Sequence, residues 1–297
     1  MRIVSLLPSA TEIVYLLGLG GDLVGATHEC DWPPAARRVR RVSASNLPPG
    51  ASPAEIDRLV SASVSGGAPA YVLDHEAIRE LAPDLVITQD LCAVCAVPAG
   101  HLRAALDVLG IEAQVLSLDP SSLGEVLDSI VAVGRATGTE ARAREAVAAL
   151  RERLEAVRRA VAARPRPATL ALEWSDPPYN AGHWVPEMVR LAGGEPLLAS
   201  AGVPSTRLAW EAIGRSRPEV VVFLPCGYGL DAACEEASAL LASRPELAGA
   251  RRLFAGDASG YFSRPGPRLV DGTAALAAAL HDRCGIEAPA GVLARLR

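Results

Sequence analysis

Hydrophobic and polar positions along the chain follow two alternating periods. Short apolar runs typical of buried strands are followed by stretches in which apolar residues recur every three or four positions, as on one face of a helix. This alternation predicts parallel sheets whose strands are connected by helices. The predicted strands cover residues 2–7, 23–27, 84–88, 113–118, 168–173, 219–224 and 252–255. The predicted helices cover residues 9–17, a stretch from 52, and 74–81, 98–109, 121–136, 139–163, 185–192, 208–215, 231–243 and 267–281.

Two of these helices begin with the sequence pattern of a capping box. In that motif an N-cap serine and a glutamate three positions later each accept a hydrogen bond from the other residue's backbone N–H. Ser9 and Glu12 form one such pair, and Ser52 and Glu55 form the other. The glycine-rich stretch 18–21 follows a helix instead of preceding one, so it indicates a helix end and not a dinucleotide-binding turn.

The longest predicted helix, residues 139–163, divides the pattern into two halves. It keeps its apolar residues on one stripe and is followed by Pro165 and Pro167, after which a new alternation of strands and helices begins. We therefore predict an α/β fold with two Rossmann-like lobes, each with a parallel sheet, joined by one long backbone helix. The predicted divisions are 1–138 for the N-terminal α/β lobe, 139–163 for the linker helix and 164–297 for the C-terminal α/β lobe.

Composition narrows the choice of partners. The chain has 297 residues, of which 50% are hydrophobic and 21% are charged, with a net charge of −5; these values are ordinary for a globular protein. Every basic residue is an arginine, and the arginines are dispersed or lie on helix faces, so no nucleic-acid partner is predicted. No apolar run approaches the roughly 20 residues of a membrane span.

The first residues predict a cytoplasmic location. Met1 and Arg2 lead directly into the first strand, without the apolar core and small-residue cleavage site of a signal peptide. Thiols stay reduced in the cytoplasm. We therefore expect paired cysteines to bind a metal or to act in redox chemistry, and not to form a structural disulfide.

Four of the six cysteines follow directly after predicted strands. The carboxyl ends of the strands in an open α/β sheet form the ligand crevice, so these positions predict one thiol-rich site. Zinc would accept four thiolates, or three thiolates with His28 or His183. A [4Fe–4S] cluster would accept the same thiolates, so the spacing does not choose between the two. The alternative is four small apolar side chains that line a pocket. The predicted metal ligands are Cys30, Cys92, Cys95 and Cys226.

The loops that follow the predicted strands also hold most of the large aromatic side chains, although aromatic residues make up only 4% of the chain. This concentration predicts a cleft between the two lobes that binds a large planar ligand. The alternatives are packing between lobes for the tryptophans, a helix-capping role for the histidine and a solvated position for the arginine. The predicted ligand-binding residues are Trp32, Trp174, His183, Trp184, Tyr228, Tyr261, Phe262 and Arg264.

The motifs of common enzymes are not present. The stretch 256–260 has the wrong spacing for a nucleophile elbow, His28-Glu29 does not continue into a zinc-protease motif, and there is no phosphate-binding loop. We therefore expect a binding protein, and an enzyme remains open only as part of the metal-site alternative.

Four segments resemble the cobalamin and iron-chelate substrate-binding proteins of ABC importers, which have the class III periplasmic-binding-protein fold. These are residues 5–13, with the sequence Ser-Leu-Leu-Pro-Ser-Ala-Thr-Glu-Ile, and residues 83–87, 139–163 and 217–221. The resemblance covers nearly the whole chain. It implies a corrinoid similar to cobalamin, or another metal chelate, held between the lobes.

Two functional hypotheses follow. In the first, the protein closes over a corrinoid or another metal chelate. In the second, it is a cytoplasmic protein or enzyme that carries an iron–sulfur cluster or zinc on its cysteines. The cysteine motifs are similar to those of a cytoplasmic branch of the family that is labelled cobalamin-binding. Exported members begin with a signal or lipoprotein segment, so an ABC transporter partner is doubtful on this prediction.

Overall fold

A computed structural model describes residues 1–48, 50–64, 71–89 and 110–297. The chain divides into two compact units. Unit 1 contains Met1–Pro120 and Leu127–Val147, and unit 2 contains Ser121–Val126 and Ala148–Arg297. The lobe divisions expected at residues 138 and 163 stay a prediction.

Strands and helices alternate as the hydrophobic pattern predicts. The strands are β1 (Ile3–Ser5), β2 (Leu23–Ala26), β3 (Arg40–Arg41), β4 (Ser43–Ser45), β5 (Tyr71–Leu73), β6 (Leu85–Thr88), β7 (Gln114–Ser117), β8 (Ala168–Ser175), β9 (Pro178–Asn180), β10 (Glu195–Pro196), β11 (Val220–Phe223), β12 (Arg252–Gly256) and β13 (Leu293–Arg295). The α-helices are α1 (Pro8–Leu16), α2 (Pro53–Val64), α3 (His75–Leu81), α4 (Leu123–Ala136), α5 (Glu140–Val161), α6 (Val185–Leu191), α7 (Trp210–Ser216), α8 (Leu230–Ser243), α9 (Ala258–Tyr261) and α10 (Leu269–Leu280). The helix expected at 98–109 lies outside the described residues.

Unit 1 is built on a parallel sheet with the strand order β3-β2-β1-β6-β7. Its central strands β1 and β6 are buried along their whole length, as expected where helices cover both faces of a parallel sheet. β4 and β5 form a separate antiparallel pair. The carboxyl ends of β1, β2 and β6 therefore lie along one edge of the sheet.

Unit 2 has a second sheet with the order β10-β8-β11-β12-β13. Its strands are parallel from β10 to β12, while β13 and the short strand β9 run antiparallel to their neighbours. The fully apolar strand β11 lies between β8 and β12, and its side chains are buried. The predicted α/β class with parallel sheets is confirmed.

The long helix α5 runs from Glu140 to Val161, two residues inside its predicted carboxyl end. It contains no glycine or proline, and its predicted apolar stripe is buried. Residues up to Val147 belong to unit 1 and residues from Ala148 belong to unit 2. Within the described ranges, no helix has both the length and the apolar character needed to cross a membrane.

The two capping-box predictions had opposite outcomes. Ser52 and Glu55 bond each other's backbone N–H groups at 3.4 Å, which confirms the motif at the start of α2. At α1 the prediction is wrong, because the helix begins one residue earlier, at Pro8, with Leu7 as its N-cap and no side-chain cap. Proline suits the first helical position because the N–H it lacks has no partner there.

His281 follows helix α10 with only 6% of its surface exposed. Its Nε2 is buried and has no hydrogen-bond partner in the part of the chain that the structure describes. Arg164 and Arg252 are the charged side chains facing it, and both donate to backbone carbonyls around the end of α10. Burial, together with these positive charges, holds the pKa of His281 below its usual value, although backbone contacts at Gly193 and Ala192 oppose part of the shift.

We expect unit 2 to lose stability on acidification through His281. Below the pKa of an unfolded histidine, about 6.5, the unfolded chain binds a proton that the folded protein does not, so stability that is complete above this pH is lost as the pH falls. Thermal unfolding at pH 7 and pH 5 should show a smaller loss for His281→Leu than for the wild type. His75→Leu, at an exposed histidine, is the control. Equal losses in all three proteins would contradict the assignment.

Candidate functional site

In unit 1, a tight turn follows the carboxyl end of β2. The Cys30 N–H donates to the Thr27 carbonyl at 3.1 Å. The Arg41 guanidinium donates to the carbonyls of Thr27 and Cys30, at 3.0 and 2.8 Å. One arginine from the edge strand β3 therefore holds both ends of the turn.

The turn presents a half-buried imidazole. His28 Nδ1 lies 2.9 Å from the Ser43 hydroxyl, which also accepts the His28 backbone N–H at 3.2 Å. Thr27 Oγ1 is 2.7 Å from the same hydroxyl and 3.3 Å from Nδ1. Two hydroxyl groups therefore surround Nδ1, whereas Nε2 has no hydrogen bond to any described residue.

The thiol of Cys30 belongs to a buried hydroxyl network. Ser5 donates its only hydroxyl proton to the Leu7 carbonyl at 2.8 Å, and Thr11 donates to Ser5 at 2.9 Å. The Cys30 Sγ lies 2.9 Å from Thr11 Oγ1. With the Thr11 proton directed to Ser5, the Cys30 thiol is left as the donor in this contact. Cys30 therefore anchors the turn to α1.

Trp32 extends the same loop toward solvent. It exposes 45% of its surface, which is unusual for so large an apolar ring. The loop after β2 thus combines a held histidine and an exposed indole at the carboxyl edge of the sheet, where α/β proteins bind their ligands.

In unit 2, the carboxyl ends of β8 and β11 bring two predicted residues together. The rings of Trp174 and Tyr228 meet edge to face, with centroids 5.9 Å apart and an interplanar angle of 80°, and both are partly exposed. Burial, and then the charge of Glu236, raise the pKa of the Tyr228 phenol, so the phenol stays protonated. Glu236 also accepts a hydrogen bond from Ser175 at 2.6 Å.

A second pair lies after β12. The Arg268 guanidinium sits 5.0 Å from the centroid of the Tyr261 ring, a cation–π contact. Asp257 caps the short helix α9 by accepting the Gly260 N–H at 2.7 Å, which fixes the start of this segment. Tyr261 and Arg264 are both partly exposed.

Trp184 and Phe262, by contrast, lie inside unit 2. Trp184 exposes 4% of its surface and Phe262 exposes 1%. The Trp184 indole N–H donates to the Phe262 carbonyl at 2.7 Å. Their predicted ligand-binding role stays a prediction, and the proposals below do not use it.

His183 is partly buried and has a left-handed backbone, with φ of 53°. Its N–H donates to the Val203 carbonyl at 2.7 Å, and its ring lies tilted on Trp184. Burial lowers the pKa of His183, which favours the neutral imidazole. The capping alternative is not realised, because α6 has no side-chain cap. Glu187, in the first turn of α6, accepts the Leu123 N–H at 2.9 Å.

Of the four predicted metal-binding cysteines, the structure describes two. Cys92 and Cys95 lie outside the described residues, Cys30 is buried and Cys226 is exposed. In the described ranges, no three histidine, cysteine or acidic side chains come together in a way that could hold a metal ion. The four-cysteine ligand set stays a prediction, and the iron–sulfur or zinc alternative receives no support from these residues.

His28 was predicted only as a possible fourth zinc ligand, and Thr27, Arg41 and Ser43 were not predicted. No local motif marks these residues, because Ser43 and Arg41 reach the turn only through the pairing of β3 with β2 and the path of the chain into β4. The one available signal was the position of His28 just past the end of β2.

Comparison with known proteins confirms the resemblance. A family described as periplasmic binding protein matches residues 3–250. The vitamin B12-binding protein of Vibrio cholerae is 28% identical over 226 residues, which cover 74% of this chain and 69% of that protein. A periplasmic heme-binding protein from Pseudomonas aeruginosa is 25% identical, with a TM-score of 0.72, over 99% of this chain and 97% of the other.

The crystal structure of the Vibrio cholerae periplasmic vitamin B12-binding protein also has this fold, with a TM-score of 0.63 and 24% identity over 94% of this chain and 96% of the other. The predicted cytoplasmic location is wrong, since the matching family and the Pseudomonas aeruginosa heme-binding protein are described as periplasmic, which points to a periplasmic or extracellular location. That prediction rested on what the first residues lack, and such an absence decides no compartment. The doubt about an ABC transporter partner had the same basis and is not supported.

Proposed function

The chain belongs to the periplasmic binding protein family, and on that premise we propose that it binds a metal-bearing tetrapyrrole, either a corrinoid or heme. The names of its relatives support this class of ligand, since they include vitamin B12-binding and heme-binding proteins. Delivery of the ligand to an ABC transporter is part of the proposal. Heme and corrinoids share a planar macrocycle with a central metal, so one class of surface suits both.

The observation that carries the proposal is the edge-to-face pair of Trp174 and Tyr228 at the strand ends of unit 2. Aromatic rings prefer such offset or edge contacts with one another, and a partly exposed pair offers a rigid apolar surface to a flat macrocycle. The protonated phenol of Tyr228 adds a hydrogen-bond donor at the rim of that surface. A site of this kind binds by apolar contact and is oriented by a few polar groups.

Arg264 bears on the choice between the two ligands. Heme carries two carboxylates, whereas the corrin ring of cobalamin carries amides. An arginine pairs most strongly with a carboxylate, through two parallel hydrogen bonds. Heme is therefore the ligand that would draw most from Arg264, and an Arg264→Gln variant should weaken heme binding more than cobalamin binding.

Titration of the purified protein with hemin and with hydroxocobalamin tests the proposal. The absorption spectrum follows the bound chromophore, and calorimetry gives the affinity and stoichiometry. We expect at least one of the two to bind at a ratio of one or two per chain, with a dissociation constant in the micromolar range or below. Failure of both ligands to bind at micromolar protein would overturn the proposed function.

Trp174→Ala should weaken binding of the ligand by about tenfold, which corresponds to about 1.4 kcal/mol. The loss is expected because an aromatic contact contributes about 0.5–1.5 kcal/mol beyond its buried area. The measurement is the dissociation constant of whichever tetrapyrrole binds.

Trp210→Phe is the matched control for this variant. Trp210 lies at the start of α7 beneath the guanidinium of Arg244, 4.5 Å from it, and not at the strand ends. Its replacement should leave the affinity unchanged. Equal losses for the two variants would show that Trp174 acts through general stability and does not contact the ligand.

A further inference from the structure

We propose that His28 is the axial ligand of the tetrapyrrole metal, bonding it through Nε2; this inference rests on the proposed function. In the step, the Nε2 lone pair forms a bond to ferric iron or cobalt(III), and a water or hydroxide leaves the same axial position. No electron is transferred. The Nδ1 proton stays on the ring and is donated to Ser43.

The hydroxyl groups around Nδ1 suit this role. Ser43 has one proton to donate and accepts two hydrogen bonds, one of which comes from the His28 backbone N–H. When Ser43 donates to Thr27, its second lone pair faces Nδ1 at 2.9 Å. The ring proton then lies on Nδ1 and Nε2 carries the lone pair. Metal-bound histidines nearly always donate their other ring N–H in this way, which fixes the orientation of the ring.

The backbone that carries His28 is held before any ligand arrives. Arg41 bonds the carbonyls on both sides of it, and the buried Cys30 thiol ties the turn to Thr11. Ligand-binding groups need this kind of support, since a loosely held side chain loses the geometry of the bond. Trp32, four residues further along, exposes its ring from the same loop.

The surroundings favour a chelated metal over a free ion. In the described part of the chain, His28 has no second and third histidine, cysteine or acidic side chain with which to hold a bare metal ion. A tetrapyrrole already supplies four nitrogen ligands in its plane, so one imidazole is enough to complete an axial position. The same bond is available to the iron of heme and to the cobalt of a corrinoid.

The experiment loads the full chain with hemin and, separately, with hydroxocobalamin, and compares the wild type with His28→Ala and His28→Gln. We expect the wild-type absorption and electron paramagnetic resonance spectra of bound hemin to show a nitrogen axial ligand. Both variants should lose that signature and bind at least tenfold more weakly. Added imidazole should restore the signature in His28→Ala by filling the vacated position.

Two further variants separate ligation from other effects. Ser43→Ala should keep the nitrogen signature but weaken binding about tenfold, as expected for loss of the group that orients a metal-binding histidine. His75→Ala removes an exposed histidine at the start of α3 and should leave the spectrum unchanged. Circular dichroism of each variant confirms that it is folded before loading.

The outcomes distinguish the two proposals. If the wild type binds a tetrapyrrole and His28→Ala and His28→Gln give the wild-type spectrum, the axial assignment is overturned while the proposed function stands. A His75→Ala variant that also loses the nitrogen signature would overturn the assignment, because the loss would then not be specific to His28. If the wild type takes up neither ligand, the proposed function fails and the axial assignment fails with it.

Discussion

Trp184→Ala is expected to lower the free energy of unfolding by about 3–5 kcal/mol, because it removes a large buried ring and leaves a cavity. Trp184 exposes 4% of its surface at the start of α6. The substitution also takes the indole N–H away from the Phe262 carbonyl, which it meets at 2.7 Å. A loss of this size should lower the melting temperature of the chain by roughly 10 °C, measured by circular dichroism.

Trp184→Phe is the graded control, since it keeps most of the ring and removes the N–H donor. Leaving a buried carbonyl without its partner costs about 1–3 kcal/mol, so this variant should fall between the wild type and Trp184→Ala. A Trp184→Ala protein within 1 kcal/mol of the wild type, on the scale of ordinary surface substitutions, would show that the ring is not packed as described.

Gly272→Ala should destabilise unit 2 by about 2 kcal/mol, within the range for overpacked cores. Helix propensity alone favours alanine over glycine by about 1 kcal/mol. However, a Cβ at position 272 would press against the Tyr261 carbonyl oxygen of the neighbouring segment, and would lie 3.1 Å from the Met188 methyl and 3.2 Å from the Phe262 ring. A backbone oxygen cannot rotate away, so the steric cost exceeds the gain in propensity. The measurement is the free energy of unfolding.

Gly214→Ala is the control, because it brings the same gain in helix propensity without the steric clash. Gly214 lies in α7, where the nearest neighbours of an added Cβ are atoms of Glu246, at ordinary contact distances of 3.5 Å or more. This variant should match the wild type or gain up to about 1 kcal/mol. If Gly272→Ala were as stable as Gly214→Ala, the close packing of α10 on the Tyr261 segment would be wrong.

The sequence predicted the long and strongly patterned elements because their periodicity is local. The buried strands β6 and β11 and the helix α5 lie within a few residues of their predicted bounds. The short strands β3, β9 and β10 were missed. Strands of two or three residues carry no periodicity of their own and are set by pairing with a neighbour, as β9 is by β8. The start of α1 was misplaced because a proline at the first helical position competed with the Ser9 cap.

The candidate site was harder to predict because its partners are distant in sequence. The positions of Trp174 and Tyr228 near the ends of predicted strands were sufficient to place both at the carboxyl edge of the unit 2 sheet, although β8 continues through Trp174 to Ser175. Nothing in the sequence showed that Trp184 turns inward to bond the Phe262 carbonyl. Similarly, the pairing of His28 with Ser43 depends on where β3 and β4 run, which periodicity does not reveal.

The corrected location changes how the cysteines are interpreted. The argument for a metal at the Cys-x-x-Cys assumed reduced thiols, and outside the cytoplasm disulfides form and persist. A disulfide between Cys92 and Cys95 is then as consistent with the sequence as a metal site. In the described residues, the buried Cys30 thiol contacts the Thr11 hydroxyl.

The two hydrogen bonds from Arg41 to the turn after β2 have a consequence for how such a protein changes its ligand over evolution. The Arg41 guanidinium bonds main-chain carbonyls. Every amino acid supplies such a carbonyl, so these hydrogen bonds do not depend on the side chains that the turn displays. Mutations at the displayed positions therefore leave the two carbonyls that Arg41 bonds in place. A library that varies positions 29, 31 and 32 while retaining Arg41 and Cys30 is a rational starting point for redirecting this scaffold to other flat chelates.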